Sequence, residues 1–347
     1  MGTKVLNAKP NKMRGSTVHA LTIHVTDLYK WLEMIVAVTR ASRDNSYWSG
    51  EECLGIKWVY RGQANYKWSI SSTFERAILN AFPEDMRDRE RVLWEREKAA
   101  VLYFQQWAEI HKSQTPTTRG EWLALMQHYG VPTRLVDFTE VPLLALGFAL
   151  EDENENDDFA IWMVPCSSPK CGFAEYQCSM REKKCNYKML WTNTHAYRIE
   201  SDDFDRNALE GILSDVRNAK RHNLMRYAPV GMSDRQKRQR GVFMAATHLT
   251  ERFMPLLHGW TNTSPHDLND DELRIELTDV MRSESRNVKV WFEQMLADAR
   301  LIKCVFDKRL RKDAQVLLTC CNITGNTKYG GMEKLAEETK MLIKEGC

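Results

Sequence analysis

The sequence predicts an α+β fold: a single domain whose small mixed or antiparallel sheet is flanked by helices. Three observations predict it. Short apolar runs of strand length recur at residues 56–60, 134–138, 159–164, 242–246 and 301–306. Helical signals fall between them without the regular strand–helix–strand rhythm of a doubly wound parallel sheet. The 347 residues are 43% apolar and 28% charged, with no repeat and no Pro- or Gly-rich linker, which suits one continuous core.

Each element has a local reason. Residues 1–16 are polar, carry Lys4, Lys9, Lys12 and Arg14, and read as a flexible leader without the apolar stretch of a secretory signal. Residues 18–25 alternate like a strand. Asp27 is placed to cap a helix reaching Ser42, with Leu28, Leu32, Ile35, Val36 and Val38 on its apolar side. A strand over 56–60 precedes a short helix over 73–79. Pro83-Glu84-Asp85 then opens a long helix to about Ile110, with Val92, Leu93, Val101, Leu102, Phe104 and Trp107 as its buried stripe. The next helix, over 121–129, is ended by Gly130 and Pro132.

A strand over 134–138 leads to a strongly apolar helix over 141–150, with Pro142 tolerated in its first turn. Six carboxylates within 151–158 read as a solvated loop tip. After the strand at 159–164 comes a cysteine-rich insertion at about 165–188. The strand at 242–246, helices over 270–281 and 287–299, the strand at 301–306 and a last helix over 333–344 complete the chain.

Charge and cysteine content exclude several function classes. Basic and acidic residues nearly cancel, 49 against 47, so any basic surface is local rather than a field of the whole protein. No stretch approaches the ~20 apolar residues of a membrane span, so the chain is expected to be cytoplasmic with no membrane partner. Nine cysteines is an odd count, as expected of reduced thiols. Four of them, Cys166, Cys171, Cys178 and Cys185, are spaced C-x4-C-x6-C-x6-C, unlike the close pairs of zinc sites, and no metal is expected.

Two segments place polar groups directly beside apolar strands. The first is Trp58-Val59-Tyr60-Arg61-Gly62-Gln63. Arg61 suits a phosphate, because a guanidinium makes two parallel charge-assisted bonds; it equally suits a carboxylate such as Asp137. The second is Gln127-His128-Tyr129-Gly130-Val131-Pro132-Thr133-Arg134-Leu135-Val136-Asp137-Phe138-Thr139. His128 either complements the end of its helix or acts as a base. Thr133, Asp137 and Thr139 fall on one face of a strand, a polar stripe of the kind that lines a cleft. Residues 217–240 hold eight lysines and arginines, among them Arg235, Lys237, Arg238 and Arg240. This is either a solvated face or a nucleic-acid patch.

These segments resemble the FRG domain family. The first, with Trp68 and Arg76, is similar to its opening signature, with Tyr60 where the family has phenylalanine. The second resembles another signature, continued by Pro142, Ala145 and Phe148-Ala149. Arg235-x3-Gln239-x-Gly241-x-Phe243 resembles a third, and the segment around Lys328 a closing one. The order of Arg61, then Asp137-Phe138-Thr139 with its apolar helix, then Gln239 to Phe243 also resembles the ADP-ribosyltransferases. That resemblance implies their fold, an NAD substrate, and a mono-ADP-ribosyltransferase toxin of a toxin–antitoxin or anti-phage system.

It further implies Arg61, His128, Asp137 and Gln239 as catalytic groups, and Arg61, Gln63, Tyr129, Thr133, Arg134 and Thr139 as NAD contacts. Arg235, Lys237, Arg238 and Arg240 would then bind a nucleic-acid acceptor, RNA before protein, and an antitoxin protein would be a partner. The third segment has Gln239 where such enzymes carry a glutamate, which leaves Asp137 and Glu140 as candidate carboxylates. Two other readings are a nuclease-like effector using His128 and Arg61, and a non-catalytic nucleotide sensor.

Overall fold

The structure, a computed structural model, describes residues 20–44, 58–108, 116–151, 156–165, 188–192, 195–199, 224–227, 234–261, 263, 274–277, 301–325 and 328. The leader, nearly all of the cysteine-rich insertion and the helices expected over 287–299 and 333–344 lie outside them. The described helices are α1 (Leu28–Asp44), α2 (Thr73–Ala77), α3 (Arg89–Ala108), α4 (Arg119–His128), α5 (Pro142–Ala149), α6 (Asp234–Gln239), α7 (Phe253–Thr261) and α8 (Arg311–Cys320). None of them is long and apolar enough to cross a membrane.

The strands are β1 (Ala20–Val25), β2 (Trp58–Gln63), β3 (Leu135–Thr139), β4 (Phe159–Pro165), β5 (Lys188–Thr192), β6 (His195–Ile199), β7 (Leu224–Tyr227), β8 (Gly241–Ala246), β9 (Arg274–Glu276) and β10 (Leu301–Phe306). β5 and β6 pair only with each other. The other eight form one sheet in the order β7-β8-β3-β2-β4-β10-β1-β9. β1 runs parallel to β10 and β9, and the remaining neighbours are antiparallel. The fold is α+β as expected, but the sheet is not small. Residues 274–276, expected to be helical, instead pair with Thr22, Ile23 and His24 as an added strand. Pairing with an open edge overrides the local pattern.

β4 shows why the long apolar runs were readable as strands: every one of its residues is buried, one face against each side of the core. On one face, α1, α5 and α8 cover β1, β10, β4 and β2. Asp27 caps α1 as expected, its Oδ1 accepting from the Tyr29 and Lys30 amides. The buried stripe of α1 is Leu28, Trp31, Met34, Ile35 and Val38, whereas Val36 faces out. α5 lies so close to β2 that a Cβ on Gly62 would fall 1.9 Å from the Ala145 carbonyl oxygen.

On the same face, α3 and α4 cover the β7-β8-β3 side through Val101, Trp122, Leu135, Tyr227, Phe243 and Ala245. A capping box of Thr118 and Glu121 starts α4, and Gly130, at φ 79°, follows its end. α3 starts at Arg89, not at Pro83, because residues 83–88 are spent in turns. Only Leu93, Glu97 and Val101 of α3 are buried; Leu102 and Trp107 are exposed, since α3 meets the core along one narrow edge. On the opposite face, Phe253, Leu257 and Trp260 of α7 cover Val59, Val136, Phe138, Val164 and Met244.

The sheet has a seam. β2 pairs with β4 through six residues and β3 pairs with β8 through five, but β2 and β3 share one register pair, Tyr60 with Thr139. Beyond that pair the two parts of the sheet separate.

Candidate functional site

The seam is where the polar groups converge. Arg61 lies inside β2 rather than after it, because the strand continues through Gln63 in register with Ala160. Its backbone pairs with Trp162, so its side chain starts on the α7 face, and the guanidinium then turns into the seam. Nη1 donates to the backbone carbonyl of Asp137 at 2.6 Å, taking the place of a strand-to-strand bond that the seam lacks. The half-buried side chain leaves Nε with no hydrogen-bond partner among the described residues.

The electrostatics of Arg61 are unusual for an arginine. Burial pulls the guanidinium below its ordinary value; the Asp137 carboxylate opposes that, and the Arg76 guanidinium adds to it. Arg76, on α2, is oriented by the carbonyl and hydroxyl of Ser71 at 2.8 and 3.0 Å. The charge of Arg76 therefore bears on Arg61, which burial desolvates.

Asp137 is exposed on β3, and its Oδ2 accepts from Gln127 Nε2 at 2.5 Å. Gln127 Oε1 in turn accepts from the Thr133 hydroxyl. The end of α4 thus positions the Asp137 carboxylate through Gln127. His128, the histidine the sequence favours, is exposed at the last position of α4. Tyr129 is 69% exposed, with its ring against His128 and Phe104. One step of ~100° around a helix separates Gln127 from His128, which is enough to send them in different directions.

Beside Tyr60, the buried Thr139 hydroxyl donates to the Gln239 carbonyl at 2.6 Å and accepts from the Val141 amide at 3.1 Å. Its donor is engaged within the protein, so Thr139 fixes the β3–α5 corner to the start of β8. Gln239 Nε2 is buried without a hydrogen-bond partner among the described residues.

Three expected NAD contacts are connectors of the core. Arg134 is 3% exposed and pairs with Glu97 of α3 through two parallel bonds, Nε to Oε1 at 2.8 Å and Nη2 to Oε2 at 2.6 Å. Its Nη1 donates to the carbonyls of Ala246 and Thr247. Thr133 is fully buried; its amide donates to Thr73 Oγ1, and its carbonyl accepts from Phe74. Gln63 donates to the Ser69 carbonyl and accepts from the Trp162 indole at 2.6 Å. Each is buried polar and satisfied internally, as such groups must be. Sequence reasoning missed Glu97 and Gln127. For Glu97 the signal was present: it stands four residues from both Leu93 and Val101, in the middle of a buried stripe.

The basic stretch is described in part. Lys237 and Arg238 are exposed at the end of α6, and Arg240, at φ 44°, is exposed in the turn entering β8. The side chain of Arg235 lies outside the described residues. The acidic turn is more than a solvated tip, since Asp157 Oδ2 accepts from Asn65 and Asp158 Oδ1 from the Lys308 amide. Lys328, in the expected closing segment, is buried against α5 and pairs with Glu151 at 2.9 Å.

Residues 56–158 match the family model of the FRG domain. The match contains Arg61, Arg76, Gln127, Asp137 and Thr139, and stops short of Gln239 and the basic stretch. No curated protein and no solved structure matches the chain.

Proposed function

We propose that this protein is an NAD-dependent mono-ADP-ribosyltransferase, a toxin that modifies a macromolecule in a bacterial toxin–antitoxin or anti-phage system. The observation that carries the reading is the Arg61 guanidinium, desolvated in the seam on the Asp137 carbonyl and under the charge of Arg76. A desolvated guanidinium whose Nε has no partner among the described residues favours an anion that supplies several acceptor oxygens. A pyrophosphate has that charge and shape.

With the pyrophosphate on Arg61, the nicotinamide ribose would lie along the seam toward Asp137. Breaking the C1″–nitrogen bond builds positive charge on the ribose ring, and an adjacent carboxylate stabilises it. Asp137, positioned by Gln127, would take the role that a glutamate has in ADP-ribosyltransferases. The exposed Lys237, Arg238 and Arg240 follow Asp234 just before β8 and suit the phosphates of an RNA acceptor. An antitoxin protein would act by covering the seam.

The test is incubation with NAD labelled in the adenylate half, alone and with total cell lysate. Expected are nicotinamide release and label on a macromolecule, removed by ribonuclease and retained after protease. Arg61→Gln should abolish both with an unchanged melting temperature. Absence of nicotinamide release would refute the reading and leave a nuclease-like effector or a nucleotide sensor.

A further inference from the structure

The outward face of α3 changes character halfway along the helix. In the first half its exposed positions include Arg91, Glu95, Arg96 and Lys98. Residues 99–108 hold no charged side chain, and their exposed positions are Ala99, Ala100, Leu102, Tyr103, Gln106 and Trp107. Leu102 is 55% exposed, Tyr103 68% and Trp107 53%, and the Tyr103 and Trp107 rings lie 6.3 Å apart. The core takes Leu93, Glu97 and Val101 on the other side of the helix. At ~100° per residue, Ala99, Leu102, Tyr103 and Gln106 all point within about 60° of directly away from Glu97, and Ala100 and Trp107 border them on the Tyr103 side.

A helix face turned to water is ordinarily polar and laced with charge, as the first half of α3 is. Exposed hydrophobes scattered singly need no explanation; a contiguous group on one face does. Aromatic side chains together with a depletion of charge are the composition of the buried centre of a protein–protein interface. They are not the composition of a nucleic-acid surface, which needs lysine or arginine for the phosphates.

We infer that the second half of α3 is a dimer interface, on which the same face of a second copy of this chain packs antiparallel about a twofold axis at Tyr103. Two features select a second copy. The first is self-complementarity. In such a pair, positions equally far on either side of Tyr103 face one another, so Trp107 of each copy lies over Ala99 of the other and Gln106 over Ala100. A large ring opposite an alanine lets two helices approach to ~8–10 Å, and symmetry makes each contact twice. The second is area. With ~150–250 Å² for a whole aromatic side chain, the exposed parts of Tyr103, Trp107 and Leu102 and their smaller neighbours come to about 500 Å² per copy. Doubled by the axis, that reaches the ~1,000 Å² a specific interface needs, at the weak end of the range, so the dimer should be reversible rather than obligate. The inference stands whether or not NAD is cleaved at Arg61.

The test is sedimentation of the full chain under reducing conditions, without nucleotide, from about 1 to 100 μM, a range that brackets a weak reversible dimer. A monomer–dimer equilibrium is expected. Tyr103→Glu and, separately, Trp107→Gln should each raise its dissociation constant at least about tenfold, because every substitution enters a twofold interface twice. Both side chains are exposed in the single chain, so circular dichroism of dilute samples should show unchanged folding. Val316→Glu is the control: Val316 of α8 is 63% exposed but lies off this face, and the equilibrium should not move. Tyr103→benzoylphenylalanine, irradiated, should cross-link into a species of doubled mass, with the new bond mapping to residues 99–107. A chain that stays monomeric at the highest concentration overturns the inference. So does a dimer that neither variant weakens, or a cross-link that forms within one chain because the chain covers its own helix. No readout involves nicotinamide, so this result and the nicotinamide-release result are independent.

Discussion

Replacing Glu97 by glutamine tests whether Arg134 is a structural group. Glu97 and Arg134 each have 3% of their side chain exposed, and two parallel bonds of 2.6 and 2.8 Å join them. Arg119 adds a weaker contact to the same carboxylate at 3.4 Å. Glutamine keeps the shape but removes the charge, and it turns an NH2 group toward a guanidinium that can only donate. Breaking a buried pair from one side costs about 3–5 kcal/mol, because the remaining charge stays desolvated. At about 2–4 °C per kcal/mol for a cooperative unit of 150–250 residues, Glu97→Gln should lower the melting temperature by roughly 10 °C. Circular dichroism melts and urea midpoints measure it. Asp88→Asn is the control: its pair with Arg91 is exposed on both sides, and the change should stay within about 1 kcal/mol. The double change Glu97→Leu with Arg134→Met should recover most of the loss, since neither charge is then stranded. If Glu97→Gln unfolds within about 1 kcal/mol of the unaltered protein, the pair does not hold α3 to β3, and Arg134 returns to the candidate ligand contacts.

Three further outcomes are expected. Gly62→Ala places a methyl 1.9 Å from the Ala145 carbonyl and 2.7 Å from the Ala149 nitrogen. Neither backbone atom can move alone, so urea unfolding should show a loss of at least about 3 kcal/mol. Gln127→Ala releases the Asp137 carboxylate and should lower NAD turnover about tenfold, more than His128→Gln does; a 10²–10⁴-fold loss in His128→Gln instead would make the histidine the base. Glutamate at Lys237, Arg238 and Arg240 should weaken RNA modification and flatten its salt dependence while nicotinamide release persists; an equal loss of both would place these residues on NAD.

Much of the fold was legible because its strands are buried on both faces. β4, β8 and β10 fall within a residue of the apolar runs that predict them, and Asp27, Gly130 and Pro142 mark their helix ends where the chemistry requires. What stayed hidden depends on partners distant in sequence. β9 is three residues long and exists because β1 offers an open edge. α8 went unread although Leu310, Ala314 and Leu318 are buried at intervals of four, a stripe that was there to find. In α3 the expected stripe failed at Leu102 and Trp107, and a carboxylate took a place that apolarity alone assigns to a hydrophobe.

The site was legible at coarser grain: both arginine-bearing segments read as polar groups beside buried strands, and sequence offers no way to rank the two arginines. Thr-Arg-Leu-Val-Asp and Tyr-Arg-Gly-Gln present them alike. Hydrogen-bond saturation separates them. Arg134 spends Nε, Nη1 and Nη2 on Glu97, Ala246 and Thr247, which leaves a ligand nothing to gain. Arg61 spends Nη1 on a carbonyl, keeps Nε without a partner among the described residues, and is under the charge of Arg76. A buried donor left unmade costs about 1–3 kcal/mol. The proposed pyrophosphate would offset that cost at Arg61, whereas Arg134, satisfied within the protein, would gain nothing from it.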